Sequence, residues 1–137
     1  MLKGEKIIHE MLENDAFSRW MGIELISYEE NEVLIKMTVN EDMNNGFHIT
    51  HGGIVYSFAD SAFAFLSNSY GRHAVSIESS ISHIAKTQTG DQLWARAQKI
   101  NAGNRIANYT VVVTNQNEVT VAHFKGTVYI SSKEWEV

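Results

Sequence analysis

Asp60 is the side chain best placed for chemistry, because it interrupts the most apolar segment of the chain. The surrounding residues read Phe58-Ala59-Asp60-Ser61-Ala62-Phe63, with no other charge among them. Charged groups are seldom buried without a partner. Asp60 therefore lies either at a cleft or interface, or among serine and backbone groups that bond to it. In the first case, partial loss of hydration would make the carboxylate more basic, as acid–base catalysis requires.

Two glycines precede the same apolar segment. They form the sequence His51-Gly52-Gly53, and the N-terminus of a helix offers unpaired backbone N–H groups and the positive end of the helix dipole. Because glycine lets a ligand approach closely, the Gly53 N–H is a candidate oxyanion donor. Alternatively, the glycines only permit close packing, or Thr50 caps the helix and accepts the Gly53 N–H.

The spacing of Gly53 and Asp60 limits how they can act together. They are seven residues apart, so they share a helix face but lie about 10.5 Å apart along the axis. The Gly53 N–H also points away from Asp60. If both serve one reaction, a second subunit must supply one of them. Two helices related by a twofold axis would then form two equivalent sites.

These residues resemble the signature of the hotdog-fold acyl-CoA thioesterases, specifically the PaaI (phenylacetic acid degradation) type. The resemblance implies an α+β hotdog fold and a dimer whose two sheets join, usually paired again into a tetramer. It also implies hydrolysis of acyl-CoA at the subunit interface without a metal or cofactor. The matching segments are Asn45-Gly46, His51-Gly52-Gly53, Ser57–Ala64, Glu13–Ala16 before Met21-Gly22-Ile23, and Gly90-Asp91.

The resemblance implies roles for the matching residues. Asp60 would be the nucleophile or general base, and the Gly53 N–H would be the oxyanion donor. Asn45 and His51 would support the thioester carbonyl and the loop. Aspartate rather than glutamate at position 60 is similar to the PaaI branch, which implies phenylacetyl-CoA or hydroxyphenylacetyl-CoA substrates. The alternatives are a thioesterase for medium- or long-chain fatty acyl-CoA, a non-catalytic acyl-CoA-binding module, and a hydratase-like relative.

Four further residues are candidates for substrate binding. Gly52 would let the substrate approach the helix end. Ser61 and Ser76 would orient a water molecule or an acyl oxygen. Lys86 stands near the place where members of the family often carry Arg-Pro, and it would contact a CoA phosphate. The alternatives are hydroxyl groups bonded to their own neighbours and a solvated lysine.

The histidines do not predict a metal site. His48 and His51 are three residues apart, but neither a third ligand at suitable spacing nor a cysteine accompanies them. His83 and His123 fall on predicted strands, where we expect half-buried histidines with hydrogen bonds.

Hydrophobic periodicity predicts the elements that position these residues. A short amphipathic helix is expected at 5–14, a hairpin of strands at 21–28 and 32–39, and a loop at 41–50. Residues 51 to about 70 are apolar on all sides, so this helix must be enclosed. Four more strands are expected at 74–84, 92–100, 106–114 and 119–130; three are joined by short turns, which suggests an antiparallel meander. The pattern predicts one α+β domain, residues 1–137, with about six strands curled around one long helix.

Composition narrows the classes of function. The chain has 137 residues, no cysteine and a formal net charge of −5. The lack of cysteine excludes disulfide frameworks and thiolate nucleophiles, and the negative charge argues against a nucleic-acid partner. No stretch resembles a secretion signal or a membrane span. We therefore expect a soluble, cytoplasmic protein whose partners are proteins or small molecules.

Overall fold

Six antiparallel strands curl around one long helix in the computed structural model, which describes residues 1–137. The strands are β1 (Glu24–Glu29), β2 (Glu32–Thr38), β3 (Arg72–His83), β4 (Gln92–Ala102), β5 (Ile106–Asn115) and β6 (Thr120–Glu134). The helices are α1 (Lys3–Asn14), α2 (Ala16–Trp20) and α3 (Gly52–Asn68), with one 3-10 turn at Glu41–Met43. The predicted α+β arrangement is confirmed.

The strand order across the sheet is β1-β2-β4-β5-β6-β3. The predicted meander is therefore confirmed for β4, β5 and β6 but is wrong for β3, which pairs with β6 rather than with β4. The connection at residues 84–91 is long enough to carry the chain from one side of the sheet to the other. As a result, β3 is an edge strand.

The all-round apolar character of α3 is explained by its position inside the curve of the sheet. Phe58, Phe63 and Leu66 are essentially inaccessible to solvent. Gly126 on β6 allows the helix to approach closely, because a Cβ atom there would lie 2.6 Å from Cζ of Phe63. Phe63 also packs against Phe124, at 5.3 Å between ring centres. This packing fixes α3, and hence every residue that it carries, relative to the sheet.

The hydrophobic pattern of the sequence predicts no helix at the position of α2. Asp15 caps its N-terminus, and the Asp15 carboxylate accepts hydrogen bonds from the Ser18 N–H (2.9 Å) and the Ser18 hydroxyl (2.6 Å). The helix ends near Gly22, whose φ of 73° is a conformation that glycine adopts readily. The predicted first strand consequently begins at Glu24 rather than at residue 21.

The free edge of β3 carries apolar side chains in the isolated protomer. Val75 is 59% exposed and Ile77 is 57% exposed. An edge strand with unpaired backbone groups and exposed apolar side chains is suited to pairing with another strand. No helix of the chain has both the length and the apolar character that crossing a bilayer requires.

Candidate active site

Asp60 is exposed at the surface of the protomer, although the residues beside it on α3 are buried. Ala59 is inaccessible to solvent and Ser61 is only 8% exposed. The Asp60 side chain forms no hydrogen bond or ion pair within the chain. The alternative of an aspartate satisfied by neighbouring serine or backbone groups is therefore wrong. The carboxylate is free to meet a ligand or another subunit.

The surroundings of Asp60 make its carboxyl group a stronger base than an ordinary aspartate. Loss of hydration raises its pKa, and the nearby negative charge of Asp15 raises it further. Asp15 is held in place by Ser18, and the Ser18 hydroxyl in turn lies 2.8 Å from the Ser61 hydroxyl. A hydrogen-bonded chain thus connects the start of α2 to the residue that follows Asp60.

His51 caps the N-terminus of α3. Its Nδ1 atom accepts the Gly53 N–H at 2.8 Å. One alternative interpretation of the sequence assigns this N–H to a cap by the Thr50 hydroxyl. That assignment is wrong, because the Thr50 hydroxyl has no hydrogen-bond partner. The His51 side chain is exposed, so a rotation about its Cα–Cβ bond would free the Gly53 N–H for a ligand oxygen.

The loop before α3 folds around Asn45. Its side-chain carbonyl oxygen accepts the N–H groups of Phe47 (2.8 Å) and Ile49 (3.4 Å), and its backbone N–H donates to the Ile49 carbonyl at 2.7 Å. The His48 N–H closes a turn on the Asn45 carbonyl oxygen at 3.1 Å. Since the carbonyl of the Asn45 amide is occupied by the loop, its NH2 group remains available as a donor.

A cavity of about 260 Å³ lies between this loop, the start of α3 and the segment after β3. It brings together Asn45, Gly52 and Lys86, three of the residues predicted for the site. Thr50 and Thr87 also line it, and their hydroxyl groups are buried without a hydrogen-bond partner. Buried polar groups of this kind usually have a partner, so the cavity is equipped to bond a polar ligand.

His83 is a site residue that the sequence did not reveal. The expectation of half-buried, hydrogen-bonded histidine side chains at positions 83 and 123 is wrong for both, because each residue is exposed and its imidazole forms no hydrogen bond. His83 lines the cavity, and a Cβ atom at Gly52 would lie 3.3 Å from its Nε2 atom. The imidazole therefore lies directly against the glycine at the start of α3.

Comparison of the chain with known proteins identifies its family. Residues 47–122 match the family described as the thioesterase superfamily. The chain belongs to the thioesterase superfamily. It is similar to acyl-coenzyme A thioesterase PaaI of Escherichia coli, with 40% identity over 86% of this chain and 84% of that protein.

Solved structures agree with the family. The E. coli PaaI protein from the phenylacetic acid degradation operon has a TM-score of 0.94 and 36% identity over 96% of each chain. A Streptococcus mutans protein bound to acetyl-CoA has a TM-score of 0.79 and 26% identity, over 82% of this chain and 91% of that one. The prediction of a hotdog-fold acyl-CoA thioesterase of the PaaI type is confirmed.

The remaining predicted residues of this thioesterase lie outside the cavity within one protomer. Gly53, His51 and Asp60 do not line it. Ser61 directs its hydroxyl toward Ser18. Ser76 is exposed on the edge strand β3, and its hydroxyl forms no hydrogen bond. Within one protomer, the cavity, the Gly53 N–H and the Asp60 carboxylate are therefore not brought together in one site.

Proposed function

We propose that the protein hydrolyses aryl-acyl-CoA thioesters, of the phenylacetyl-CoA or hydroxyphenylacetyl-CoA class, to the free acid and CoA at a site shared by two subunits. The observation that carries the proposal is the free, exposed Asp60 carboxylate on an otherwise buried helix. The similarity to E. coli PaaI supports the substrate class, because that protein comes from a phenylacetic acid degradation operon.

The geometry of α3 supports a site made by two copies. Gly53 and Asp60 are about 10.5 Å apart along the helix axis, too far for both to contact one carbonyl group. Pairing of two β3 edges would continue the sheet from one protomer into the next and would cover Val75 and Ile77. A twofold axis at this edge would produce two identical sites. The association of two such dimers into a tetramer stays a prediction, as does the cytoplasmic location.

In the proposed reaction, the thioester carbonyl oxygen accepts a hydrogen bond from the Gly53 N–H after the His51 side chain moves aside. The Asn45 NH2 group supports the same oxygen. Negative charge that develops on this oxygen is stabilised by the N-terminus of α3. Lys86, exposed beside the cavity, contacts a phosphate of CoA.

Asp60 of the partner subunit completes the reaction by one of two routes. As a general base, it takes a proton from water, and the resulting hydroxide attacks the carbonyl carbon. As a nucleophile, it attacks the carbon itself and forms a mixed anhydride, which water then hydrolyses. In both routes the carbon–sulfur bond breaks, the CoA thiolate leaves and takes up a proton, and the carboxylic acid is released.

A substrate panel tests the proposed specificity. Thiol release should be measured with aryl-acetyl, benzoyl and straight-chain acyl-CoA thioesters. We expect the highest kcat/KM with phenylacetyl-CoA or hydroxyphenylacetyl-CoA. A higher value with medium- or long-chain substrates would replace the aryl-acyl class with the fatty acyl class. Binding of acyl-CoA without thiol release from any substrate would indicate a non-catalytic module.

The pH dependence of hydrolysis should report the environment of Asp60. The carboxylate must be ionised to act by either route, and its pKa is raised by desolvation and by Asp15. The acidic limb of kcat/KM should therefore lie at higher pH than for an ordinary aspartate. Asp15→Asn removes the nearby negative charge but preserves an efficient helix cap. We expect this variant to shift the acidic limb toward lower pH.

Ser18→Ala provides the matched comparison for this shift. It removes the hydroxyl group that links Asp15 to Ser61 but leaves the Asp15 charge in place. Its acidic limb should move less than that of Asp15→Asn. If the two variants and the wild-type protein share one pH profile, Asp15 does not influence the catalytic carboxylate.

A further inference from the structure

A second cavity lies at the opposite end of α3 from the glycine pair. It has a volume of about 240 Å³ and is lined by residues that include Ser67, Tyr70, Arg72, Lys99, Tyr109 and Ile130. Ser67 is seven residues beyond Asp60 and fourteen beyond Gly53. These separations correspond to about 10.5 Å and about 21 Å along the helix. The cavity is therefore distinct from the thioesterase site, and its assignment does not depend on the proposed function.

Lys99 breaks the pattern of the strand that carries it. The inward-facing residues that precede it on β4 are Leu93, Ala95 and Ala97, all fully buried. Lys99 continues this row and pairs in register with Tyr109, which also faces the core. Its ammonium group lies 4.8 Å from the centre of the Tyr70 ring and forms no ion pair. Lys99 is half-buried and also borders a surface cavity that contains Glu29, Glu30 and Glu32, but it forms an ion pair with none of them and remains available to another anionic partner.

Arg72 brings a second positive charge to the cavity. Its guanidinium group donates to the backbone carbonyl of Asn104 at 2.7 Å and forms no ion pair with any carboxylate. A guanidinium has five N–H donors, so most of them remain available. The cavity lining contains no Asp or Glu. Burial is the main cause that raises the pKa of Tyr70, and the nearby Glu30 adds to it, although Glu30 is not part of this lining.

Tyr109 adds a hydrogen-bond donor to the cavity. The residue is only 1% exposed, and its hydroxyl group forms no hydrogen bond within the chain. Burial raises its pKa to about 12, so the phenol keeps its proton at neutral pH. Its ring is fixed edge-on against Phe63, at 5.8 Å between centres. The hydroxyl oxygen itself is not fully enclosed, and Tyr109 lines the cavity, so the hydroxyl can donate to water or to a ligand there.

We propose that this cavity binds a small oxyanion, a carboxylate or phosphate group, between the cations of Lys99 and Arg72 and the hydroxyl of Tyr109. Guanidinium and ammonium groups both form strong charge-assisted hydrogen bonds with such anions. The volume lies below the range of about 300–1,000 Å³ that is usual for drug-sized ligands. The site therefore suits a compact anion rather than an intact CoA molecule.

Calorimetric titration at low ionic strength tests the site with inorganic phosphate and with acetate. We expect one of them to bind once per chain in the wild-type protein. Lys99→Met and Tyr109→Phe should each weaken binding by roughly tenfold, since each removes one bond to a charged group. Lys36→Met is the matched control, because Lys36 also lies over an aromatic ring, that of Trp94 at 5.1 Å, but outside the cavity. It should bind the anion like the wild-type protein.

The two probes distinguish the chemical class of the anion. A site for phosphate groups should bind phosphate more tightly than acetate, and a site for carboxylates should bind acetate more tightly than phosphate. The proposal is overturned if neither anion binds the wild-type protein, or if Lys99→Met and Tyr109→Phe bind as well as it does. An equal loss in Lys36→Met would indicate general charge attraction and would also overturn it. If Lys99→Met does not fold, the binding measured with Tyr109→Phe tests the proposal instead. This variant should fold, because it retains the ring that packs on Phe63.

Discussion

Asp60→Asn should lower kcat/KM for thioester hydrolysis by at least about a thousandfold. The amide has nearly the shape of the carboxylate, but it can neither take a proton from water nor form an anhydride. The two routes proposed for Asp60 require the same ionised group, so both are lost together. Steady-state thiol release with the preferred acyl-CoA measures the effect, and size-exclusion chromatography checks that the assembly is retained.

Asp42→Asn is the matched control for this substitution. Asp42 is exposed, and its carboxylate forms no hydrogen bond or ion pair, so the same chemical change should leave hydrolysis unaltered. Near-normal turnover in Asp60→Asn would refute the assignment of the catalytic carboxylate.

The stability of Asp60→Asn separates loss of chemistry from loss of structure. Because the Asp60 pKa is raised in the folded protein, the folded state binds this proton more tightly than the unfolded chain does. Ionisation of Asp60 therefore lowers the free energy of unfolding. This loss develops as the pH rises from the ordinary pKa of aspartate through the raised pKa of the folded protein. Asn cannot ionise, so we expect a melting temperature at neutral pH that is no lower than that of the wild-type protein.

Mixed dimers of two inactive variants should regain about a quarter of the wild-type activity if each site uses both subunits. Gly53→Pro removes the proposed oxyanion donor at a position in the first helical turn, where proline is tolerated. In a dimer of Gly53→Pro with Asp60→Asn, one of the two sites keeps both wild-type groups. Random assembly from equal amounts makes half of the dimers mixed, which gives the expected fraction.

The experiment requires unfolding and joint refolding, or co-expression, so that the subunits exchange. Each variant refolded alone is the control, and both should stay inactive. If each site were complete within one protomer, every subunit in the mixed dimer would lack one group. A mixture with verified mixed dimers but no regained activity would therefore contradict the shared site.

Much of the fold could be predicted because the strong patterns are local. The alternation in β2 and the all-round apolar α3 depend only on neighbouring residues. The position of β3 at the edge could not be predicted, since periodicity identifies a strand but not its partner. The helix α2 was missed because it is short and depends on the Asp15 cap rather than on an apolar face.

The same reasoning explains which candidate site residues the sequence reveals. Asp60 stood out because it contradicts its apolar surroundings. Thr50 and Thr87 did not, because they meet only through a bond between distant segments, from the Thr50 N–H to the Thr87 carbonyl at 2.9 Å. His51 was not expected as the cap, because histidine is not among the residues that favour this position.

The contact between α2 and α3 has a practical consequence for anyone who prepares this enzyme. The Ser18 hydroxyl lies within hydrogen-bond distance of the Ser61 hydroxyl, and Asp15 adds to the effect of burial on the pKa of Asp60, so the start of α2 adjusts the carboxylate that we propose for the reaction. Ile7 and Ile8 of α1 are fully buried, so proteolytic trimming before residue 21 would expose part of the core as well as alter the acid strength of the Asp60 carboxyl group. A purification handle therefore belongs at the carboxyl end, beyond β6.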